Sequence, residues 1–313
     1  MPLMEPWGSH PRPVALLGWP VAQSISPAIH NAAFAEAGVP GHYLALAVPP
    51  EQLPDALRGL VALGFVGANV TVPHKEAVLP LLDEVSPEAA RIGAVNVIAV
   101  REGRLVGANT DAAGFLAHLQ RLGIDPAGMR AVILGAGGAA RAVAYALAKA
   151  GVRELTVLNR TPARADAVAA LARDVAREEG RDLPVRIGPL SGPDCRIILS
   201  QAHLLVNCTP LGMGPHPAET PLPEGLGALP PGAVVYDTVY RPEPTWLIRE
   251  AQKMALVAVD GLGMLVHQAA LSWAVWFGQP GPLAAMEAAA HRALAASRTA
   301  GTAADPAASA PGQ

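Results

Sequence analysis

Ala131-Val-Ile-Leu-Gly135-Ala-Gly137-Gly138-Ala-Ala140-Arg141 decides the fold. Four apolar residues, two of them β-branched, read as a short buried parallel strand. Gly135-x-Gly137-x-x-Ala140 follows at once, and the apolar run 142–150 has helical character. In a strand–turn–helix unit the first glycine permits a tight turn and the second lets a pyrophosphate approach the backbone. Ala140 allows the helix to pack closely on the strand, and the helix start offers free N–H groups to an anion. A glycine-rich turn alone also occurs in other βαβ units, so the flanking strand and helix carry the dinucleotide reading.

The next strand selects the dinucleotide. Glu154-Leu-Thr-Val-Leu158 ends in Asn159-Arg160-Thr161, with Arg164 one helical turn on. An NAD site places Asp or Glu here to bind the ribose 2′-hydroxyl. This chain has no acid there, and two arginines and a threonine suit a 2′-phosphate by charge, fork geometry and hydroxyl. Thr161 followed by Pro162 also fits a helix N-cap with Pro at N1. Basic residues at a helix start oppose the macrodipole, and an anion nearby accounts for them. The cofactor expected is NADP.

Composition bounds the rest. The 313 residues suffice for two domains, and 51% hydrophobic with 16% charged residues describes a globular chain. A formal net charge of −3 gives no general attraction to nucleic acid or anionic membranes. Cys195 and Cys208 are too few for a zinc site or a disulfide framework. Residues 1–11 lack the basic and apolar regions of a signal peptide, so a cytoplasmic protein is expected. The segment 261–278 has no Asp, Glu, Lys or Arg and approaches spanning length. Its glycines, His267, Gln268 and Ser272 favour a buried helix closing a globular core.

Of 23 basic residues only Lys75, Lys149 and Lys253 are lysine. Lysine can lose its proton and arginine effectively cannot, which singles Lys75 out at the end of a strand. That strand, 66–72, ends in Asn69-Val-Thr71-Val-Pro-His-Lys75, where open α/β sheets hold their ligands. Before it lie a strand 13–18, a helix opened by Ser24-Ile-Ser26-Pro27 and a strand 42–48. Ser26 reads as the helix N-cap, while Ser24 has no such duty, and the two hydroxyls form a cradle for a small carboxylate. Residues 94–100 and 104–109 flank Arg101-Glu-Gly103 as a hairpin. Asn96 inside an apolar strand needs hydrogen bonds. Asp111 stands at the next helix start, where it also reads as an N-cap. Strands at 203–207, 233–236 and 256–259 continue the alternation of a doubly wound parallel sheet. In the helix after Gly263, Met264, Gln268, Leu271 and Val275 share one face, and Gln268 either satisfies a core group or reaches a ligand. Residues 297–313 are Ala, Gly, Pro, Ser and Thr with little else, and are expected to be a disordered tail.

Eight segments in order together resemble the shikimate dehydrogenase family: Ser24-x-Ser26-Pro27, Asn69 to Lys75, Gly93-Ala-Val-Asn96, Gly107-x-Asn109-Thr-Asp111, Gly135 to Arg141, Asn159-Arg-Thr161, Asn207-x-Thr-Pro-Leu-Gly-Met213 and Gly261-Leu-Gly-Met-Leu-x-x-Gln268. The resemblance covers about residues 13–296. It implies two α/β domains: a substrate-binding catalytic domain (12–112) with a mostly parallel sheet, and a Rossmann-like NADP domain (113–260). C-terminal helices (261–296) would pack back on the substrate domain. The implied reaction is NADPH-dependent, reversible reduction of 3-dehydroshikimate to shikimate, in the shikimate pathway of aromatic amino acid (chorismate) biosynthesis. Ser24 and Ser26 would hold the substrate carboxylate. Thr71, Asn96, Asp111 and Gln268 would bind its hydroxyls, with Tyr240 beside them. Lys75 would be the general acid/base, with Asp111 the second catalytic residue, orienting it. Gly135, Ala136, Gly137, Gly138, Ala139, Asn159, Arg160, Thr161, Arg164, Thr238 and Gly261 would line NADP. Val97 stands where the family has Thr, a packing difference.

Two other readings stay open on the residues. One is a quinate/shikimate dehydrogenase using NAD, against which Asn159-Arg-Thr161 argues. The other is a non-catalytic dinucleotide-binding sensor, which has no need of Lys75, Asp111, Ser24 and Gln268 together. The expected partner is a small-molecule substrate, with no nucleic acid and no membrane, in a monomer or homodimer.

Overall fold

The computed structural model describes residues 11–213, 219–241 and 244–302, with side chains described as far as residue 296. Two six-stranded sheets organise them. The first contains β1 (Arg12–Gly18), β2 (Gly41–Ala47), β3 (Gly67–Val70), β4 (Glu84–Val85), β5 (Val97–Arg101) and β6 (Arg104–Ala108), in the order β2-β1-β3-β5-β6-β4. Its helices are α1 (Ser26–Ala37), α2 (Leu53–Ala62), α3 (His74–Ala77) and α4 (Pro87–Ile92). Strands β1, β2 and β3 run parallel, and β5 runs against both β3 and β6. The reversal between β5 and β6 follows from the Glu102-Gly103 loop, in which both residues adopt positive φ (52° and 75°). A two-residue loop of that kind matches the twist of the strands it joins.

Helix α5 (Asp111–Arg121) leads into the second sheet: β7 (Arg130–Leu134), β8 (Glu154–Leu158), β9 (Val185–Gly188), β10 (Leu204–Asn207), β11 (Val234–Asp237) and β12 (Val257–Val259). All its ladders are parallel, in the order β12-β11-β10-β7-β8-β9. Numbered within this sheet, that is the doubly wound order of a dinucleotide-binding fold, with its switch point between β7 and β10. Helices α6 (Gly138–Ala150), α7 (Pro162–Glu178), α8 (Pro193–Leu199) and α9 (Trp246–Lys253) cover it. The helix α6 packs so closely that Ala140, Ala142, Val143 and Ala144 are fully buried.

Two final helices, α10 (Leu262–Phe277) and α11 (Leu283–Thr302), return to the first sheet. Trp273, Trp276, Met286, Ala290 and Leu294 join Val14, Leu16, Ile29, Phe34, Tyr43 and Val97 in one core. The indole N–H of Trp276 donates to the Ile98 carbonyl (2.9 Å), so the one polar atom of that ring is satisfied inside the core. Val97 is fully buried there, a packing residue as its position implies. Among the described residues no helix is long and apolar enough to cross a membrane. The charge-free segment is α10, with eight of its residues buried in the protein.

Several expectations need correction. Strand β3 ends at Val70, so Thr71 lies just beyond it. Strands β4 and β9 and helix α8 are additional to the elements expected from sequence; β9 is an edge strand whose exposed Arg186 and Ile187 give no core pattern. Residues 297–302, expected to be disordered, are helical instead, because α11 continues to Thr302 through alanine-rich sequence with high helix propensity. The remainder, 303–313, lies outside the described residues.

His30, on α1, is fully buried and neither ring nitrogen has a hydrogen-bond partner. Its ring stacks on Tyr43 with centroids 4.3 Å apart. Burial drives its pKa down to about 3, and the neighbouring Asn69 amide offsets little of that. The folded chain therefore refuses a proton that the unfolded chain takes up below its ordinary pKa of 6.5. Stability from this group is present above that pKa and is lost as pH falls toward 3. His30→Phe keeps the ring and removes the titration. Its urea-derived stability should fall less steeply between pH 6 and 4, by about 1.4 kcal/mol per pH unit. An unchanged slope would show that the folded protein does protonate His30.

Candidate active site

Lys75 sits in α3, four residues after Thr71. Its backbone carbonyl accepts from Val95 N–H (2.8 Å), which ties α3 to the approach of β5. Its Nζ donates to Asp111 Oδ2 at 2.5 Å, with side-chain exposures of 17% and 6%. A cation that carries its partner this far out of water needs further hydrogen bonds to hold it.

Those bonds come from Asn96. Its Oδ1 accepts from Thr110 N–H (2.7 Å), which sets the orientation of the amide. Its Nδ2 then donates to Asp111 Oδ1 (2.8 Å) and also faces Thr110 Oγ1 (3.0 Å) and Gln268 Oε1 (3.1 Å). Asp111 is free for this because it does not cap its own helix. The Asn109 carboxamide does so, accepting from Asp111 N–H (3.0 Å) and Ala112 N–H (3.4 Å) while donating to Ala94 O (2.9 Å). Gln268 satisfies groups of the protein: Nε2 donates to Leu265 O (2.9 Å) and Oε1 accepts from Asn96 Nδ2 (3.1 Å).

Three residues reach this cluster that no reading of the sequence assigned to it: Tyr43, Asn69 and Ser272. Asn69 accepts from the Tyr43 hydroxyl (2.8 Å) and donates to Asn96 O (3.0 Å) and Ser272 Oγ (2.9 Å). Ser272 lies 3.1 Å from Thr110 Oγ1, and its hydroxyl donates to Gln268 O (2.9 Å). Asn69, inside β3, carries the signal read for Asn96, an amide in an apolar strand, although β5 begins only at Val97, so Asn96 itself lies just before its strand. Ser272 follows Gln268 by one helical turn, which is the only pointer to it.

The start of α1 differs from the expected cap. Ile25, not Ser26, is the N-cap of α1, and Ser26 is its first residue. Ser24 does the local work: its Oγ accepts from Ser26 N–H (3.2 Å) and donates to Ser26 Oγ (3.1 Å). The two hydroxyls thus lie 3.1 Å apart at the helix start. Tyr240 lies against the Ile25 backbone and the Ser24 hydroxyl, and burial raises its pKa. Arg241 fastens the same loop by donating to Gln23 O (2.8 Å). The Thr71 methyl packs on Gly18, and its backbone N–H donates to Leu17 O (2.9 Å).

Facing this cluster is the glycine turn. Gly135 has φ of +99°, a conformation that favours glycine. A Cβ at Gly137 would meet nothing within 4 Å, and no side chain caps α6. The cradle bounded by Gly135, Ala136, Gly137, Gly138 and Ala139 is therefore open to a phosphate group. Gly138 brings the two halves together, since a Cβ there would lie 3.1 Å from the Cβ of Lys75. Arg141 fixes the approach by donating to Ile92 O (2.6 Å). Cys208, at the end of β10, is buried near Asp237, Asp111 and Lys75, and burial pushes its thiol pKa up.

At the end of β8, Asn159 Nδ2 donates to Thr161 O (2.9 Å). Thr161 occupies the N-cap position of α7, yet its hydroxyl makes no capping bond. Arg160 is exposed and without a partner among the described residues, whereas Arg164 pairs with Glu76 (3.3 Å). Thr238 and Gly261 touch: a Cβ on Gly261 would lie 2.2 Å from the Thr238 carbonyl oxygen. Asp237 beneath them accepts from Asn207 Nδ2 (2.9 Å), Val239 N–H (3.0 Å) and Thr245 Oγ1 (2.7 Å). Burial nevertheless raises its pKa to about 6. Together, an open cradle, an uncapped helix start, an unpaired guanidinium and no acid at the end of β8 fit a phosphorylated dinucleotide.

Known proteins resemble this chain over most of its length. Family models match residues 16–98 (shikimate dehydrogenase substrate binding domain), 118–183 (shikimate / quinate 5-dehydrogenase) and 261–291 (shikimate 5′-dehydrogenase C-terminal domain). The shikimate dehydrogenase (NADP(+)) of Symbiobacterium thermophilum is 53% identical over 285 residues, 90% of this chain and 95% of that protein. That of Moorella thermoacetica is 50% identical over 91% of this chain and 94% of its own length. The crystal structure of shikimate 5-dehydrogenase from Thermus thermophilus in complex with NADP(H) and shikimate superposes with a TM-score of 0.79 at 44% identity, covering 90% of this chain and all of that one. With both sheets, the Lys75–Asp111 pair and the open glycine turn described, the chain belongs to the shikimate dehydrogenase family.

Proposed function

We propose that the chain is an NADP-dependent shikimate dehydrogenase, interconverting 3-dehydroshikimate and shikimate in the pathway to chorismate and the aromatic amino acids. The observation that carries this is the Lys75–Asp111 pair, held by Asn96 and Gln268 and standing against the first turn of the cofactor helix. Residues 12–112 form the substrate domain, 113–260 the cofactor domain and 261–296 the returning helices. The enzyme acts in the cytoplasm as a monomer or homodimer.

When bound, NADP(H) supplies or accepts the hydride. The protein binds, orients and moves a proton. Ser24 and Ser26 converge at the start of α1 and hold the substrate carboxylate there, with Tyr240 on one side. Thr71, Asn96, Asp111 and Gln268 receive the hydroxyls. As the substrate carbonyl oxygen gains negative charge, the Lys75 ammonium stabilises it and delivers a proton. Asp111 holds that ammonium by one oxygen, and its other oxygen is held by Asn96. In the reverse direction Lys75 takes the proton back. On the cofactor side, the α6 N–H groups hold the pyrophosphate. Asn159, Arg160, Thr161 and Arg164 would take the 2′-phosphate, and Thr238 and Gly261 would line the cofactor further along.

The test follows absorbance in the NADPH band with purified protein, shikimate and NADP⁺, beside wells holding NAD⁺ or quinate. Rapid reduction confined to shikimate with NADP⁺ is the expected result. Comparable rates with NAD⁺ or quinate would move the chain to the broader quinate/shikimate class. No turnover with NADP⁺ still bound would make it a sensor. Arg160→Ser should raise KM for NADP⁺ by roughly 10- to 100-fold and leave KM for NAD⁺ unchanged, because the lost charge meets only the 2′-phosphate. Equal changes for both cofactors would remove Arg160 from phosphate recognition.

A further inference from the structure

Glu76 follows Lys75 in α3, and its carboxylate reaches across to the cofactor domain. Its Oε1 lies 3.3 Å from Nη2 of Arg164, in the first turn of α7, with exposures of 44% and 57%. The two arginines after β8 therefore stand differently: Arg160 has no partner among the described residues, while Arg164 is already shared with an acid. Resting on the NADP reading above, we propose that Glu76 is a specificity-determining residue that restrains 2′-phosphate binding through Arg164.

The physical reason is charge. A 2′-phosphate brings nearly two negative charges to Arg160 and Arg164. The guanidinium of Arg164 has donors enough to hold phosphate and carboxylate at once, but its single positive charge is then divided between them. The Glu76 carboxylate also adds a like charge near the phosphate. NAD carries an uncharged hydroxyl at that place, so the opposition falls on NADP alone. Because both side chains are exposed, solvent screens the effect to a few-fold. In return the pair joins α3 to α7 across the cleft, beside the contact of Lys75 with Gly138.

The test is steady-state kinetics of Glu76→Gln with each cofactor. KM for NADP⁺ should fall about threefold, while KM for NAD⁺ and kcat with either cofactor stay near those of the wild type. Glu76→Asp, which keeps the charge, should restore most of the wild-type KM. Raising the salt concentration should narrow the gap between Glu76→Gln and wild type. An unchanged or raised KM for NADP⁺, or equal shifts for both cofactors, overturns the inference. Arg160→Ser, run alongside, separates the two failures. If it raises KM for NADP⁺ while Glu76→Gln does nothing, only the role of Glu76 falls. If neither variant moves KM for NADP⁺, the phosphate site itself is misassigned and both readings fall.

Discussion

Lys75→Ala is expected to lower kcat about a thousandfold while changing KM for shikimate only several-fold. The asymmetry follows from where Nζ sits. It is bonded to Asp111 at 2.5 Å and 17% exposed, so its interaction with substrate strengthens as charge develops on the reacting oxygen. Ground-state binding rests on the Ser24–Ser26 pair and the amides, which the substitution leaves in place. Asp111 would lose its cation but keep the Asn96 donor at 2.8 Å, so the fold should survive. Lys75→Arg separates charge from proton transfer: it retains a cation beside Asp111 but cannot release a proton. It should bind shikimate nearly as the wild type does and turn over little faster than Lys75→Ala. A kcat for Lys75→Ala within tenfold of wild type would place the proton transfer elsewhere.

Gly114→Val is expected to destabilise the protein strongly without touching substrate. A Cβ at Gly114 would stand 2.7 Å from Gln268 Cβ and 2.8 Å from Gln268 N. The nearest obstacles are thus the root and backbone of α10, which cannot swing aside as a side-chain tip can. The contact is reciprocal, because a Cβ at Gly263 on α10 would fall 2.1 Å from His118 on α5. Separating the two helices would pull Gln268 Oε1 from Asn96 and uncover Phe115, Leu119 and Met264. The expected loss is about 3 kcal/mol or more of stability, with a higher KM for shikimate in whatever remains folded. Thermal unfolding of Gly114→Ala and Gly114→Val measures it, and the loss should grow with side-chain size. Equal melting temperatures for both variants and wild type would show that α5 and α10 can part freely.

The legible parts of this chain are those whose cause is local. Strand β7, its glycine turn and α6 are contiguous in the chain, and each glycine has a steric reason that sequence displays. The helix start at Asp111 was legible in position but not in detail. Asn109, two residues earlier, does the capping and so frees Asp111 for Lys75. Ser26 does not cap α1 as expected, and Ser24 bonds its backbone instead, for a similar reason: an i to i+2 hydroxyl bond and an N-cap look alike in sequence. The amide cluster was beyond local reading, because Asn96 meets Gln268 from 172 residues away and Asn69 meets Ser272 from 203. Only the closed fold brings these together. Edge strand β9 escapes a sequence reading because its middle residues, Arg186 and Ile187, are both exposed and show no alternation.

The return of α10 and α11 to the first sheet has a consequence for synthesis. A chain emerging from its N-terminus can complete the second sheet and its helices once β12 has appeared. The first sheet then has all its strands but not the helices that cover one of its faces. The face bearing Val14, Leu16, Ile29, Phe34 and Val97 is sealed by Trp273, Trp276, Met286 and Leu294, which emerge from the ribosome only after the second sheet. The half of the protein that is translated first is therefore the half that matures last. Its greasy face stays uncovered for most of the time the polypeptide is being made, a period when chaperones have their clearest claim on it.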